Sequence, residues 1–317
     1  MKYVLAPLAD FTDAPFRLMC FRGGADAAYT EMVSAAALFH AHDATRRLLE
    51  TMPGEGPVGC QLFGSNPEEL AFAARLAEST GRFSEINLNA GCPMQRITRS
   101  GAGAKLVESP EKVYSLLKAM KEAVNLPVTL KTRLGPRPGR TNVFELVDAA
   151  ERAGAAGVAI HARHVSEMHS GPLHLDILAD TVSRTKLPVT GNGSVVDLKS
   201  ARRMAETGVK AIMVGRAALA KPWIFSILKG EDAPVDPVAA CGEHLRLILK
   251  FHERLAEKFG HLPSKDAFAA IKMHTHLFRY FSGRPGAAAL RARLSSIRTL
   301  AEIEREIDAA RQPFPST

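Results

Sequence analysis

The feature that most constrains this chain is an alternation of short apolar runs with helical stretches, sustained from Val4 to Gly215. Eight runs rich in β-branched or apolar residues recur: Val4–Ala9, Ala27–Val33, Val58–Gly64, Glu85–Leu88, Val128–Arg133, Val158–Arg163, Val189–Gly193 and Ala211–Gly215. Between them, Pro67–Ser79, Pro110–Ala123, Asn142–Ala153 and Leu198–Thr207 carry apolar residues at helical spacing. Ser65-Asn66-Pro67 and Ser109-Pro110 put a capping residue before a proline at the first helical position, and Gly81, Gly154 and Gly208 stand where helices should stop. Eight strand–helix repeats predict an α/β protein of the parallel (β/α)8 kind, a TIM barrel. A doubly wound open sheet is the alternative, but no Gly-x-Gly-x-x-Gly follows the first strand.

Lys229–Pro237, with Glu231, Asp232, Pro234 and Pro237, reads as a linker. Beyond it the strand pattern ends. Residues 238–260, 264–282, 287–296 and 299–311 predict four helices, a small C-terminal helical bundle beside the barrel mouth. The expected division is a catalytic barrel over 1–230 and a helical domain over 238–317.

Four cysteines, Cys20, Cys60, Cys92 and Cys241, make no Cys-x-x-Cys pair and no metal-ligand spacing, which argues against disulfides and structural zinc. The N-terminal apolar run is too short for a signal peptide, and no stretch approaches a membrane span. A cytoplasmic protein is expected, and nothing in the sequence demands more than a monomer. The formal net charge is +8. Most of that excess sits in Lys265–Arg298, where Lys265, Lys272, Arg279, Arg284, Arg291, Arg293 and Arg298 face Asp266 alone. Such a stretch points to a polyanionic partner.

Chemistry in a barrel belongs at the C-terminal ends of its strands. The third predicted strand ends in Gln61-Leu62-Phe63-Gly64 and the fourth in Asn89–Cys92. The fifth ends in Lys131-Thr132-Arg133 and the sixth in His161-Ala162-Arg163-His164. Cys92 follows a strand broken by Ala90-Gly91 and Pro93, so its thiol is presented at the rim as a proton donor or nucleophile. A lysine inside a buried strand needs an anionic or electron-rich partner to offset its desolvation. Gly191-Asn192-Gly193-Ser194 and Gly215-Arg216-Ala217 are small-residue turns where barrels bind phosphate. Backbone N–H groups of Gly193, Ser194, Gly215 and Arg216, with the Arg216 guanidinium, can cradle one. Two such turns favour a phosphorylated cofactor such as FMN, whose ring Gln61 and Lys131 could then meet.

These motifs lie in order along the chain. Ala6-Pro7-Leu8-Ala9-Asp10-Phe11-Thr12-Asp13-Ala14-Pro15-Phe16-Arg17, Gln61–Gly64, Asn87–Pro93, Lys131–Gly135, Gly191–Gly193 and Val214–Ala217 together resemble the tRNA-dihydrouridine synthase family. Ile271-Lys272-Met273-His274 and Tyr280-Phe281-Ser282-Gly283 are similar to its helical-domain motif. The resemblance implies an FMN enzyme that uses NADPH to reduce uridine in folded RNA to 5,6-dihydrouridine. It implies Cys92 as the acid that protonates uracil C5 while hydride reaches C6. Asn89 would hold the base, with Arg133 beside it. Gln61, Lys131 and His161 would contact the isoalloxazine, and Pro7 and Leu8 would pass its edge. Asn192, Gly193, Ser194, Gly215 and Arg216 would bind the phosphate, and Lys272, His274, Arg279, Arg291 and Arg293 would meet tRNA.

An ordinary thiol, with a pKa of about 8.5, stays protonated at neutral pH and can serve as that acid. The chain departs from the family pattern at Asn87, where Asp is usual, and at Ala162, His164, Glu167 and His169. The competing reading is an FMN oxidoreductase of a free pyrimidine or other small enone-type substrate. The basic tail and the lack of iron–sulfur cysteine clusters argue against it.

Overall fold

The computed structural model describes residues 1–231, 234–282, 292–293 and 296–311. Its strands close into a ring. β1 (Lys2–Leu5) pairs with β2 (Ala27–Tyr29), and β2 with β4 (Val58–Phe63). The series continues through β5 (Glu85–Ala90), β6 (Val128–Arg133), β7 (Gly157–His161) and β8 (Val189–Asn192) to β9 (Ala211–Val214), which pairs back onto β1. All pairings are parallel, so this is the predicted eight-stranded barrel.

One predicted strand is not continuous. The run Ala27–Val33 is divided into β2 and a short β3 (Val33–Ser34), both of which pair with β4. Between them the Gln61 amide N–H donates to the Thr30 hydroxyl at 3.0 Å, where a regular ladder would offer a backbone carbonyl.

Local chemistry explains the helix boundaries. Helix Pro67–Ser79 begins where Asn66 Oδ1 accepts from the N–H groups of Glu68 and Glu69, at 2.8 and 3.3 Å. Helix Pro110–Ala123 also matches its predicted span, but Ser109 makes no side-chain cap bond, and proline alone marks the start. The other two run Val143–Arg152 and Leu198–Ala205. Each is shorter than predicted by its capping turns.

Alternation along the strands separates two environments. Cys60, Leu62, Ile86, Leu88 and Leu130 face the surrounding helices and are fully buried in the main apolar cluster. The barrel axis is filled differently. On one side Val4, Ala6, Ala159 and Met213 form a small apolar cluster. On the other, Gln61, Asn87, Asn89 and Thr129 are buried polar groups.

The tail packs as helices Pro237–Phe259, Lys265–Tyr280 and Leu300–Ala309. The predicted helix over 287–296 lies largely outside the described residues. The tail shares its core with the barrel: Ala14, Leu18, Met19 and Met52 join Val238, Cys241, Leu245, Ile248, Met273 and Leu277. Among the described residues no helix is long and apolar enough to cross a membrane.

Candidate active site

The C-terminal strand ends open onto a cavity of about 550 Å³. Pro7 and Leu8 after β1, Asn89 and Cys92 at β5, Lys131 and Arg133 on β6, and His161 on β7 all line it. So do Asn192 at the end of β8, Gly193 and Ser194 just after it, Gly215 and Arg216 after β9, and Arg279 from the tail. Its described wall holds Arg96, Lys131, Arg133, Arg216 and Arg279 against a single carboxylate, Asp10. A partly enclosed site with that imbalance is suited to an anion.

Cys92 stands two residues beyond β5, half-buried. The turn that carries it is held from three directions. Asn89 Oδ1 accepts from the N–H groups of Gly91, at 3.1 Å, and Cys92, at 3.0 Å. Arg133 Nε donates to the Gly91 carbonyl at 2.9 Å. Ala104 N–H donates to the Cys92 carbonyl at 2.8 Å. That last approach requires glycine at 103, where φ is +59° and an added Cβ would lie 2.7 Å from the Cys92 oxygen.

On the adjacent strand β6, Lys131, in register with Asn89, donates from Nζ to Asn192 Oδ1 at 3.3 Å. Burial, with Arg133 acting in the same direction, pulls its pKa down to about 8. An anionic ligand would raise it again. Burial, reinforced by Arg133, Lys131 and Arg163, drives the His161 pKa far down, so its ring is neutral. Arg163 NH1 lies 3.2 Å from His161 Nε2; that nitrogen accepts and Nδ1 carries the proton. Arg163 also donates to the Gly171 carbonyl and, at 2.9 Å, to Ser194 Oγ. Ser194 has φ +47°, an uncommon conformation for a residue with a side chain, and the Arg163 clamp helps hold it. At neighbouring Gly193 an added Cβ would meet Leu173 at 2.6 Å, so the chain turns there with its backbone bare.

Several predicted residues are placed elsewhere. Gln61 is fully buried beneath the cavity, with its amide engaged by Asn87 and Asn89, each at 2.7 Å. Lys272 belongs to the junction of barrel and tail. It lies 3.2 Å from Asp13 and 3.8 Å from Glu31, beside a separate cavity of about 150 Å³. Its charge is matched by two carboxylates within the fold. Arg293 makes a two-pronged ion pair with Glu306, both contacts at 2.8 Å. His274 is exposed on the tail, away from the cavity, and Arg291 lies outside the described residues. Among the described tail residues named from the sequence, Arg279 alone reaches the cavity, its guanidinium 4.9 Å above the Phe11 ring.

Sequence reasoning gave Arg163 and Arg96 no role, and His169 entered it only as a departure from the family pattern. Arg163 was visible as a fixed charge at a strand tip. His169 belongs to the loop after β7, which Glu167 organises by taking contacts from His164 Nδ1 at 3.1 Å and His174 Nε2 at 2.8 Å. Burial, with Arg133 and Arg216, lowers the His169 pKa to about 4.

The family model described as "Dihydrouridine synthase (Dus)" matches residues 4–314. A protein of Klebsiella pneumoniae named tRNA-dihydrouridine synthase B is 35% identical over 244 residues, covering 75% of this chain and 76% of that one. Its namesake in Yersinia pestis is 35% identical over 263 residues, 81% of each chain. The protein of the same name in Escherichia coli K12 is 34% identical over 277 residues, 86% of this chain and 84% of that one. With the closed barrel and the thiol-bearing, cation-lined cavity at its strand ends, the match along nearly the whole length establishes that the chain belongs to the dihydrouridine synthase family.

Proposed function

We propose that this chain reduces the C5=C6 bond of uridines in tRNA to 5,6-dihydrouridine, with bound FMN and with NADPH as reductant. The observation that carries the reading is the pairing of one half-buried thiol with a strongly cationic cavity. The residues present fit FMN. Backbone at Gly193, Ser194, Gly215 and Arg216, with Arg216 charge, suits a phosphate; Lys131, Asn192 and the neutral His161 ring suit the polar edge of an isoalloxazine. When bound, FMN supplies the hydride that uracil accepts at C6.

The remaining work falls to the chain. Hydride addition leaves negative charge over C5 and O4, and Cys92 S–H donates its proton to C5. The clamp of Asn89, Arg133 and Ala104 on the turn sets the direction of that donation. A stacked uridine cannot reach the cavity, so the base must be turned out of the RNA, at a cost of a few kcal/mol. Arg96 and Arg279, at the cavity wall, can offset that cost through phosphate contacts. We assign the helical tail to RNA binding and the protein, as a tRNA enzyme, to the cytoplasm as a monomer.

The purified protein should be yellow, with flavin absorbance near ~450 nm. Under anaerobic conditions its NADPH-reduced form should be reoxidised by tRNA lacking dihydrouridine. A colourless protein that takes up no FMN contradicts the cofactor assignment. Reoxidation by free uridine or orotate but not by tRNA would transfer the activity to the small-substrate class.

A further inference from the structure

Between β4 and β6 the barrel interior holds a row of polar side chains that reaches the cavity at one end, through Asn89. Strand register sets Gln61 beside Asn87, and Asn87 beside Thr129. Glu85 and Asn89 lie two residues before and after Asn87 on the same strand face. The side chains join end to end. Asn89 Nδ2 donates to Gln61 Oε1 at 2.7 Å, and Gln61 Nε2 to Asn87 Oδ1 at 2.7 Å. Asn87 Nδ2 donates to Thr129 Oγ1 at 2.8 Å, and the Thr129 hydroxyl to Glu85 Oε1 at 3.0 Å. The Tyr29 phenol donates to the same Glu85 oxygen. Its ring fits because residue 59 is glycine, where a Cβ would stand 2.5 Å from Tyr29 Cε1.

The direction of this row follows from its lower end. The Glu85 oxygen accepts from two hydroxyls, so Thr129 spends its one hydrogen there and can only accept from Asn87. Asn87 must then turn its oxygen to Gln61, and Gln61 its oxygen to Asn89. The Asn89 oxygen is left facing the N–H groups of Gly91 and Cys92, as observed. We propose that Glu85 is a positioning residue for Cys92: through Thr129, Asn87 and Gln61 it fixes the facing of the Asn89 amide, and so the turn that carries the thiol. The inference rests on the proposed tRNA activity for one of its two readouts. It also accounts for Asn87, because an amide there can accept from Gln61 and donate to Thr129 at once, which a carboxylate cannot. A carboxylate at that position could only accept, and would take from Thr129 the hydrogen that Glu85 uses.

The pair Glu85 and Asn87 is therefore matched, and exchanging the acid between them tests the idea. Glu85→Gln adds an amide donor beside hydroxyls already oriented to donate. Asn87→Asp makes two carboxylates compete for one Thr129 hydrogen. In the double variant E85Q/N87D the row from Thr129 to Asn89 is satisfied again once the Thr129 hydroxyl turns round. The carboxylate then accepts from Gln61 and Thr129, and the new amide nitrogen at position 85, standing where the shared Glu85 oxygen stood, donates to both Thr129 and Tyr29. The readouts, on FMN-loaded protein, are iodoacetamide alkylation of Cys92 and the two anaerobic half-reactions. Each single variant should keep wild-type FMN content and NADPH-dependent flavin reduction, slow tRNA-dependent reoxidation about tenfold, and speed Cys92 alkylation. E85Q/N87D should return both affected rates to near wild type. A single variant with unchanged reoxidation and alkylation, or a folded double variant as impaired as the worse single, overturns the proposal. If a single variant does not fold, Thr129→Val cuts the row without adding charge and must show the same split. If wild-type protein is not reoxidised by tRNA, the proposed function fails, and the order of alkylation rates alone decides the role of Glu85.

Discussion

Cys20, Cys60 and Cys241 are buried, and burial pushes each thiol pKa upward, that of Cys60 to about 12. Cys92 is half-buried at the cavity and held by its backbone on both sides. Replacing Cys92 with Ala should leave FMN content unchanged and slow tRNA-dependent turnover by roughly 10²–10⁴-fold, the usual contribution of a positioned acid. Stopped-flow reoxidation of the reduced flavin measures this, and an undiminished rate would remove the thiol from the chemistry. Cys92 was legible in the sequence because a broken strand end announces a rim position. Gln61 was less so. Its strand was evident, but whether its amide meets a ligand or a neighbour depends on the register of β4 against β5. Alternation did hold a clue: Glu85, Asn87 and Asn89 share one strand face with period two, which marks a polar interior row.

At the scale of elements, the strand tips and glycine turns line the cavity, and their positions were readable from local sequence. Breaks caused by distant partners were not. The interruption of Ala27–Val33 depends on a Thr30–Gln61 contact across strands. The clamp on the turn after β8 likewise comes from Arg163 on the loop after β7. Arg163→Ala should release Ser194 and lower FMN affinity about tenfold or more, the value of a charge-assisted contact of ~1.5–3 kcal/mol. Flavin fluorescence titration reports the change. An unchanged Kd would mean that the turn holds its shape without the clamp.

For the whole molecule, barrel and tail share an apolar cluster and a charged junction, and the basic charge seen in the sequence serves two ends. Arg279 faces the cavity, whereas Lys272 is spent on Asp13 and Glu31. Its charge was visible in the sequence, but its partners lie in the barrel far along the chain. Lys272→Met should destabilise the protein by about 3 kcal/mol through unpaired buried carboxylates. Chemical denaturation measures that loss, and unchanged stability would contradict the pin. His244 and His276 pack in the same junction with ring centroids 4.5 Å apart. Burial lowers both pKa values, that of His244 to about 4. Unfolded histidine titrates near ~6.5, so the unfolded chain binds more protons below that pH. Their stabilising contribution is complete above pH ~6.5 and is lost as pH falls toward 4, by up to ~1.4 kcal/mol per pH unit for each ring. Glu31, Glu55 and Glu85, with pKa values raised by burial, pull the other way. The informative comparison is therefore between wild type and His276→Phe, which should lose less stability from pH 7 to 5. Equal slopes would exclude the pair as an acid-sensitive element.

The central claim, that this cavity reduces uridine in tRNA, is tested most directly by nucleoside mass spectrometry of a single reaction. tRNA lacking dihydrouridine is incubated with the FMN-loaded protein and NADPH, digested, and scanned for uridine gaining two hydrogens. Dihydrouridine should form with wild-type protein and fall to a trace with Cys92→Ala. Its absence with a flavin-loaded, NADPH-reducible wild-type protein would contradict the account.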